Sequence, residues 1–144
     1  MKYRRNYIWM ILIIVAFALI KMRLGGSVPL PANYQTLANG QIRIAVQSKT
    51  IPSTAKGEQW NLEKHQENNQ IIYTANLYNN GREEMLFPGV KTLSKTASGT
   101  TYQASGKIRF GSTNYQAVRL FVASDAKSGY VDFEKTSGSS GSAS

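Results

Sequence analysis

The sequence predicts an all-β domain, a small antiparallel sandwich or barrel of about seven strands, preceded by one N-terminal transmembrane or signal helix. Three observations predict this fold class. An apolar run without charge, proline or glycine occupies residues 7–20 of the 144-residue chain. Beyond it, short runs alternate apolar and polar side chains, as half-buried strands do. Turn residues separate these runs at intervals of roughly ten residues, and a helical period is almost absent.

The apolar run is typical of a membrane anchor. A spanning helix needs about 20 mostly apolar residues, with a lower limit near 17. The run reaches that limit only when Met22 and Leu24 extend it and the long stems of Lys21 and Arg23 snorkel to the headgroups. The side chains expected to contact the lipid bilayer are Tyr7, Trp9, Ile13, Phe17 and Ile20.

A cleaved secretory signal is the alternative to an anchor. Such signals combine a positive region, an apolar region of about 7–15 residues and a small-x-small cleavage site. Ala16, Phe17 and Ala18 supply that triplet, but the apolar run continues beyond it, which favours the uncleaved anchor. Basic residues are more numerous before the run than after it, so the N-terminus is expected in the cytoplasm and the remaining chain outside. We therefore expect a single-pass protein of the cell membrane, or a secreted protein if cleavage occurs.

The net charge of +9 belongs in large part to the anchor. Five of the 17 basic residues flank the apolar run, and none of the eight acidic residues does. From Leu24 onward the chain carries twelve basic and eight acidic side chains, which leaves a net charge of +4. This balance is typical of a mildly basic soluble domain, so nucleic acid is not an expected partner.

The chain contains no cysteine. This excludes a disulfide framework, a thiolate metal site and a thioacylated lipid anchor. Extracytoplasmic proteins without disulfides are ordinary in Gram-positive bacteria, which is the origin that the composition suggests.

Four segments are predicted along the chain. Residues 1–24 form the membrane anchor or signal segment, and residues 25–40 form a linker, because two glycines and two prolines disfavour a continuing helix there. Residues 41–135 form the extracytoplasmic β-domain. Residues 136–144 form a disordered Ser/Gly tail, because they hold no side chain large enough to build a core.

The β-domain is predicted strand by strand from its alternation. Strands are expected over residues 41–47, 59–64, 70–78, 83–87, 101–110, 115–122 and 130–134, with a weak edge strand at 91–97 whose lysines suit an unpaired edge. The strand over 101–110 is the clearest. The residues expected to face inward are Ile42, Ile44, Val46, Trp60, Leu62, Tyr73, Leu77, Ile108, Phe110, Val118, Leu120, Val122, Val131 and Phe133.

No catalytic, metal or cofactor site is predicted. The single histidine, His65, lies between Glu63 and Glu67, and one histidine without cysteine does not build a usual zinc site. Phosphate-cradling glycine loops and a Gly-x-Ser-x-Gly elbow are missing from the sequence. The enzymatic alternative is an envelope hydrolase or peptidase that uses a Ser–Lys or Ser–His pair, with Ser94, Ser98 or Ser105 beside a lysine.

One pattern suggests a ligand site, an aromatic and cationic face on the last strands. Such a face stacks on and pairs with sugar rings or phosphates, although tyrosines are also ordinary strand formers and lysines keep a sheet face soluble. The candidate ligand-binding residues are Tyr102, Lys107, Arg109, Tyr115 and Arg119. We expect a non-catalytic binding or assembly module of the bacterial cell envelope, with an anionic wall polymer or another envelope protein as its partner.

Overall fold

The computed structural model describes residues 27–67 and 69–136, and within them the chain forms nine strands and no helix. In chain order the strands are β1 (Gln35–Thr36), β2 (Ile42–Gln47), β3 (Glu58–Glu67), β4 (Gln70–Asn79), β5 (Arg82–Thr96), β6 (Gly99–Ala104), β7 (Lys107–Phe110), β8 (Thr113–Ala123) and β9 (Ser128–Lys135). The predicted anchor at residues 7–20, its cleavage and the tail from residue 137 lie outside the described residues. The described residues form no helix with the length and apolar character that a membrane crossing requires.

Seven of these strands close into a barrel in the order β2, β3, β4, β5, β6, β8, β9 and back to β2. Neighbours in the ring are antiparallel except β2 and β3, which meet in parallel at one pair, Gln47 and Asn61. The prediction of an all-β barrel of about seven strands is therefore confirmed. β1 and β7 lie outside the ring, paired with β2 and β8. Part of the stretch assigned to a linker joins the barrel, because it includes β1 and the buried Val28, which bridges to Phe110.

The barrel interior is filled by an aromatic cluster. The ring of Phe133 lies edge-on to the rings of Phe87 and Phe110, with centroids 5.1 Å and 5.5 Å apart. Trp60 stacks on Phe87 at 5.8 Å. Each such pair contributes about 0.5–1.5 kcal/mol beyond the burial of its surface. The cluster makes this part of the barrel a packed core.

The predicted strand over 101–110 is two strands, β6 and β7, which pair with successive halves of β8. The break falls at Gly106, whose φ of 126° is in a region that favours glycine. A Cβ at this position would lie 2.6 Å from Cδ1 of Phe87. The break is therefore fixed by the core beneath it, and it separates the outer side chains of β6 from those of β7.

A bulge interrupts β8 between Ala117 and Arg119. Before the bulge Tyr115 and Ala117 face the core, and after it Leu120 and Val122 do so. The prediction that Val118 belongs to the core is wrong, because the extra residue of the bulge shifts the alternation by one and leaves Val118 half-buried.

Candidate functional site

The outer surface of β6 to β9 and β2 carries the polar groups that the sequence analysis singled out. We name it the β8 face. It consists of Gln41, Arg43, Gln103, Lys107, Arg109, Asn114, Gln116, Arg119, Asp132 and Glu134. These side chains point outward because their chain neighbours, such as Ile108, Leu120 and Val131, are buried inside the barrel.

Cross-strand register arranges the β8 face in rows. In one row Gln103 of β6 lies opposite Arg119 of β8, which lies opposite Asp132 of β9, which lies opposite Arg43 of β2. In the next row Lys107 of β7 lies opposite Gln116 of β8. Directly opposed side chains are close enough to interact, so the register itself builds the polar network.

The centre of the β8 face is an ion-pair triad. Nε and Nη2 of Arg43 donate to the two carboxylate oxygens of Asp132 at 2.8 Å and 3.1 Å, and Nε of Arg119 donates to the same carboxylate at 3.1 Å. The Asp132 side chain is fully buried, whereas the two guanidinium groups stay about one-third exposed, at 30% and 33%. A buried charge needs such partners to offset its lost hydration. The hydrogen bond to Asp132 raises the pKa of Arg43 above its ordinary value, against the opposing effect of burial.

Aromatic rings extend the triad on one side. The Arg43 guanidinium lies 3.6 Å above the centroid of the Tyr130 ring, which stacks on Phe121 at 5.0 Å. This cation–π contact holds the guanidinium in place from outside. Arg43 is therefore a structural cation with little freedom to turn toward a ligand.

A second carboxylate connects the triad to the next row. Glu134 accepts hydrogen bonds from Nε2 of Gln116 at 2.8 Å and from Nε2 of Gln41 at 3.4 Å. Nη2 of Arg119 in turn donates to the side-chain oxygen of Gln41. Arg119 is thus committed to the network, and the face is rigid around it.

A cleft of about 620 Å³ opens on the β8 face where β6 and β7 separate. The cleft lies between the strand break at Gly106 and the bulge of β8. The amide of Ala117 donates to the carbonyl of Gly106 at 2.8 Å, so a main-chain hydrogen bond joins the two features. The polar side chains that line the cleft are Gln103, Ser105, Lys107, Gln116 and Glu134.

Two cations beside the cleft are uncommitted. Lys107 and Arg109 are exposed on β7, and neither forms an ion pair or a side-chain hydrogen bond with any residue that the structure describes. The opposing strand, β8, carries the side-chain amides of Gln116 and Asn114, which can contact the same ligand as these two cations. Lys107, Arg109 and Arg119 are the predicted ligand-binding residues that the structure brings together on one face.

The two predicted tyrosines lie elsewhere. Tyr115 is a core residue, 6% exposed, with its ring edge-on to Phe110 at 5.5 Å. Tyr102 faces the barrel interior at the opposite end, where its ring lies 6.0 Å from Tyr73 and burial raises the pKa of its phenol. The alternation in the sequence already places Tyr102 on the strand face opposite Lys107.

The residues of this face that were not among the predicted ligand-binding residues are Gln41, Arg43, Gln103, Asn114, Gln116, Asp132 and Glu134. One signal was present in the sequence. Asp132 stands between Val131 and Phe133 in a strand, and a carboxylate in that setting needs a cationic neighbour on the same face. Arg43 and Arg119 occupy equally central positions in strands.

A second polar cluster covers the outer side of β3 and β4. The Thr74 hydroxyl donates to Oδ1 of Asn76 at 2.5 Å, so Nε2 of His65 is the donor in its 3.0 Å bond to Thr74. Tyr78 donates to the Glu63 carboxylate, and burial followed by this bond raises the pKa of the phenol well above its usual range. No cluster of three His, Asp or Glu side chains suited to a metal ion occurs in residues 27–67 and 69–136.

The serine–lysine pairs raised by the sequence analysis are not assembled as dyads. Ser105 and Lys107 line the same cleft, but no hydrogen bond between them occurs in the described chain. A lysine base is activated by burial in an apolar pocket, whereas Lys107 is exposed. His65 bonds to a threonine rather than to a serine.

No protein-family model, curated protein or solved structure matches this chain.

Proposed function

We propose that this chain is a membrane-anchored, extracytoplasmic and non-catalytic binding module of the bacterial cell envelope, and that its β8 face binds an anionic polymer. The observation that carries the proposal is a 620 Å³ cleft lined by the uncommitted Lys107, with a second uncommitted cation, Arg109, further along the same face of β7. The alternative of a secreted protein changes the attachment of the module and leaves its binding face the same.

The chemistry of the face suits a polymer that carries both phosphate and hydroxyl groups. Lysine binds phosphate as a point charge, and arginine binds it through a planar fork of N–H donors. The side-chain amides of Gln103 and Gln116 at the cleft offer both donors and acceptors to hydroxyl groups. The carboxylate of Glu134 already accepts two hydrogen bonds from amides, which reduces its repulsion of an incoming anion.

The rigidity of the face favours binding. The triad around Asp132 fixes β2, β8 and β9 against one another, so little side-chain entropy remains to be lost in that region. Only Lys107 and Arg109 need to be ordered when an anion binds. Such exposed cations contribute mainly through long-range attraction, and we therefore expect binding to weaken as the salt concentration rises.

The attachment of Val28 sets how the face would sit relative to a membrane. The amide of Val28 donates to the carbonyl of Arg109 at 2.8 Å, which fixes the chain beside β7. Three residues lie between Leu24 and Val28, and the four Cα–Cα steps from one to the other span at most about 14 Å when fully extended. An anchor that ends at residue 24 would therefore keep the β7 end of the barrel close to the membrane surface.

Binding of a linear poly(glycerol phosphate) to the full chain in neutral-lipid nanodiscs tests the proposal. We expect the double variant Lys107→Gln/Arg109→Gln to bind roughly tenfold more weakly, because both uncommitted cations of β7 are lost. The matched control is Lys56→Gln/Lys127→Gln, which removes the same charge from two exposed residues away from this face. Neutral dextran should not bind. Equal weakening by both double variants would refute a defined site, and unchanged binding by the first would refute the β8 face.

A further inference from the structure

A free strand edge occurs at the end of the barrel that carries Tyr102. The paired ladder between β4 and β5 ends at Thr74 and Pro88. Proline has no N–H to donate, so it is a natural end for a ladder. Beyond it, residues 91–96 of β5 continue as a strand that pairs with β6 on one side. The other side has no strand partner in the described part of the chain.

The first residues of β4 diverge from this edge. Ile71 and Tyr73 pair with β3 and with no residue of β5. A cavity of about 170 Å³ at this end of the barrel is lined by Tyr73 on β4 and by Lys95 and Thr96 on β5, together with residues of β6, β8 and the turn after β8. All six residues of the edge, from Lys91 to Thr96, are exposed. The backbone groups along this edge are therefore accessible to another chain.

The side chains beside the edge are apolar and cationic. In the described chain the exposed large hydrophobic residues are Tyr34, Ile71 and Leu93, and the last two, at 50% and 51% exposure, flank this gap. Lys64 lies opposite Tyr73, and Lys91 and Lys95 lie on the edge strand itself. Neither β4 nor residues 88–104 contain an aspartate or glutamate. Glu63 and Glu67 lie on β3 near Lys64, so the excess of positive charge rests on Lys91 and Lys95 of the edge strand itself.

We propose that this edge, residues 91–96 of β5, docks an extended acidic segment of a partner protein by strand addition. Main-chain hydrogen bonds to an unpaired edge provide affinity in this mode of recognition, and side-chain contacts on alternate residues provide specificity. The bulge between Thr92 and Ser94 places Lys91 and Lys95 on opposite faces of the edge, so acidic residues on both faces of the added strand would pair with them, and Leu93 would contact an apolar residue between them. The lysines also hinder pairing of the edge with a second copy of the chain, because that pairing would bring like charges together. This partner is distinct from the polymer of the β8 face.

The test uses the full chain in neutral-lipid nanodiscs and a fluorescent eight-residue valine–glutamate peptide, two repeats of Val-Val-Glu-Glu, whose glutamates point to both faces of an extended strand. We expect saturable binding by fluorescence anisotropy, and protection of the amides of residues 91–96 from hydrogen exchange. A peptide of equal charge with proline in place of valine should bind at least roughly tenfold more weakly, because it cannot extend the sheet. The Lys107→Gln/Arg109→Gln variant should bind the first peptide normally.

Two variants with matched controls localise the contact. Lys95→Glu and Leu93→Ser should each weaken binding of the valine–glutamate peptide roughly five- to tenfold. Lys56→Glu and Tyr34→Ser introduce the same residues at exposed positions away from the edge and should leave binding unchanged. Equal binding of the proline peptide, no binding at millimolar concentration, or no protection at residues 91–96 would overturn the proposal. Protection that rises with protein concentration in the absence of peptide would also overturn it, because the edge would then join two copies of this chain.

Discussion

Replacing Asp132 by asparagine isolates the contribution of the ion-pair triad. The asparagine side chain has the size of aspartate but no charge, so the variant creates no cavity. It converts three charge-assisted hydrogen bonds, two from Arg43 and one from Arg119, into at most weaker neutral ones. The asparagine amide also points N–H donors toward the guanidinium groups of Arg43 and Arg119, and a guanidinium group has no atom that accepts a hydrogen bond.

The magnitude follows from the burial of each partner. Breaking a fully buried ion pair costs about 3–5 kcal/mol, because the remaining charge is left without hydration. Here the remaining charges are Arg43 and Arg119, whose side chains are 30% and 33% exposed and can regain water. We therefore expect Asp132→Asn to lower the free energy of unfolding by about 2 kcal/mol, or the midpoint temperature by about 10 °C for a domain of this size.

Urea unfolding followed by circular dichroism measures this loss. Glu58→Gln is the matched control, since Glu58 is exposed, and we expect it to change stability by less than about 0.5 kcal/mol. The variants Arg43→Gln and Arg119→Gln should each cost about 1 kcal/mol, less than the loss of the shared carboxylate. An Asp132→Asn loss no larger than that of the control would refute the reasoning, since the buried carboxylate would then contribute nothing.

Three further changes test other parts of the fold. Gly106→Ala should cost about 2–3 kcal/mol in urea unfolding, because the new Cβ would meet Phe87 and φ is 126°; a neutral result would show that the strand break is not fixed by the core. Phe133→Ala should cost about 3–5 kcal/mol by the same assay, since the ring fills the centre of the aromatic cluster, and a loss below about 1 kcal/mol would contradict that packing. Tyr78 keeps its proton in the folded state at pH values where the unfolded phenol loses it, so stability should fall as pH rises above about 10 and on through the raised folded pKa. The fall should be shallower in Tyr78→Phe, and equal slopes would contradict the assignment.

The alternation of apolar and polar residues in the sequence predicts most of the barrel, because each strand has one face that is buried in the barrel interior. Ile42, Ile44 and Val46 are buried as expected, with exposed or half-buried residues between them. The same reasoning fails where backbone geometry depends on the packed interior. The bulge at Ala117 and the break at Gly106 depend on the packing of Phe87 and of the neighbouring strands. The local period of the sequence does not predict either feature.

The candidate site was predicted in part for the same reason. Lys107 and Arg109 follow directly from alternation in one strand, and both lie on the expected outer face. Arg119 also follows from alternation, since Leu120 and Val122 face the core, whereas the bulge that moves Val118 out of the core does not. The role of Asp132 depends on the pairing of β9 with both β2 and β8, a long-range closure of the barrel that no single segment specifies.

The central claim is that the β8 face binds an anionic polymer, and a site-specific probe tests it most directly. Since the chain has no cysteine, Asn114→Cys places one thiol on this face and Ser53→Cys places one on an exposed loop elsewhere. Each variant carries an environment-sensitive fluorophore and is titrated with poly(glycerol phosphate). We expect a saturable change at position 114, little change at position 53, and loss of the response at position 114 in the Lys107→Gln/Arg109→Gln background. Equal responses at both positions, or none at position 114, would contradict the claim.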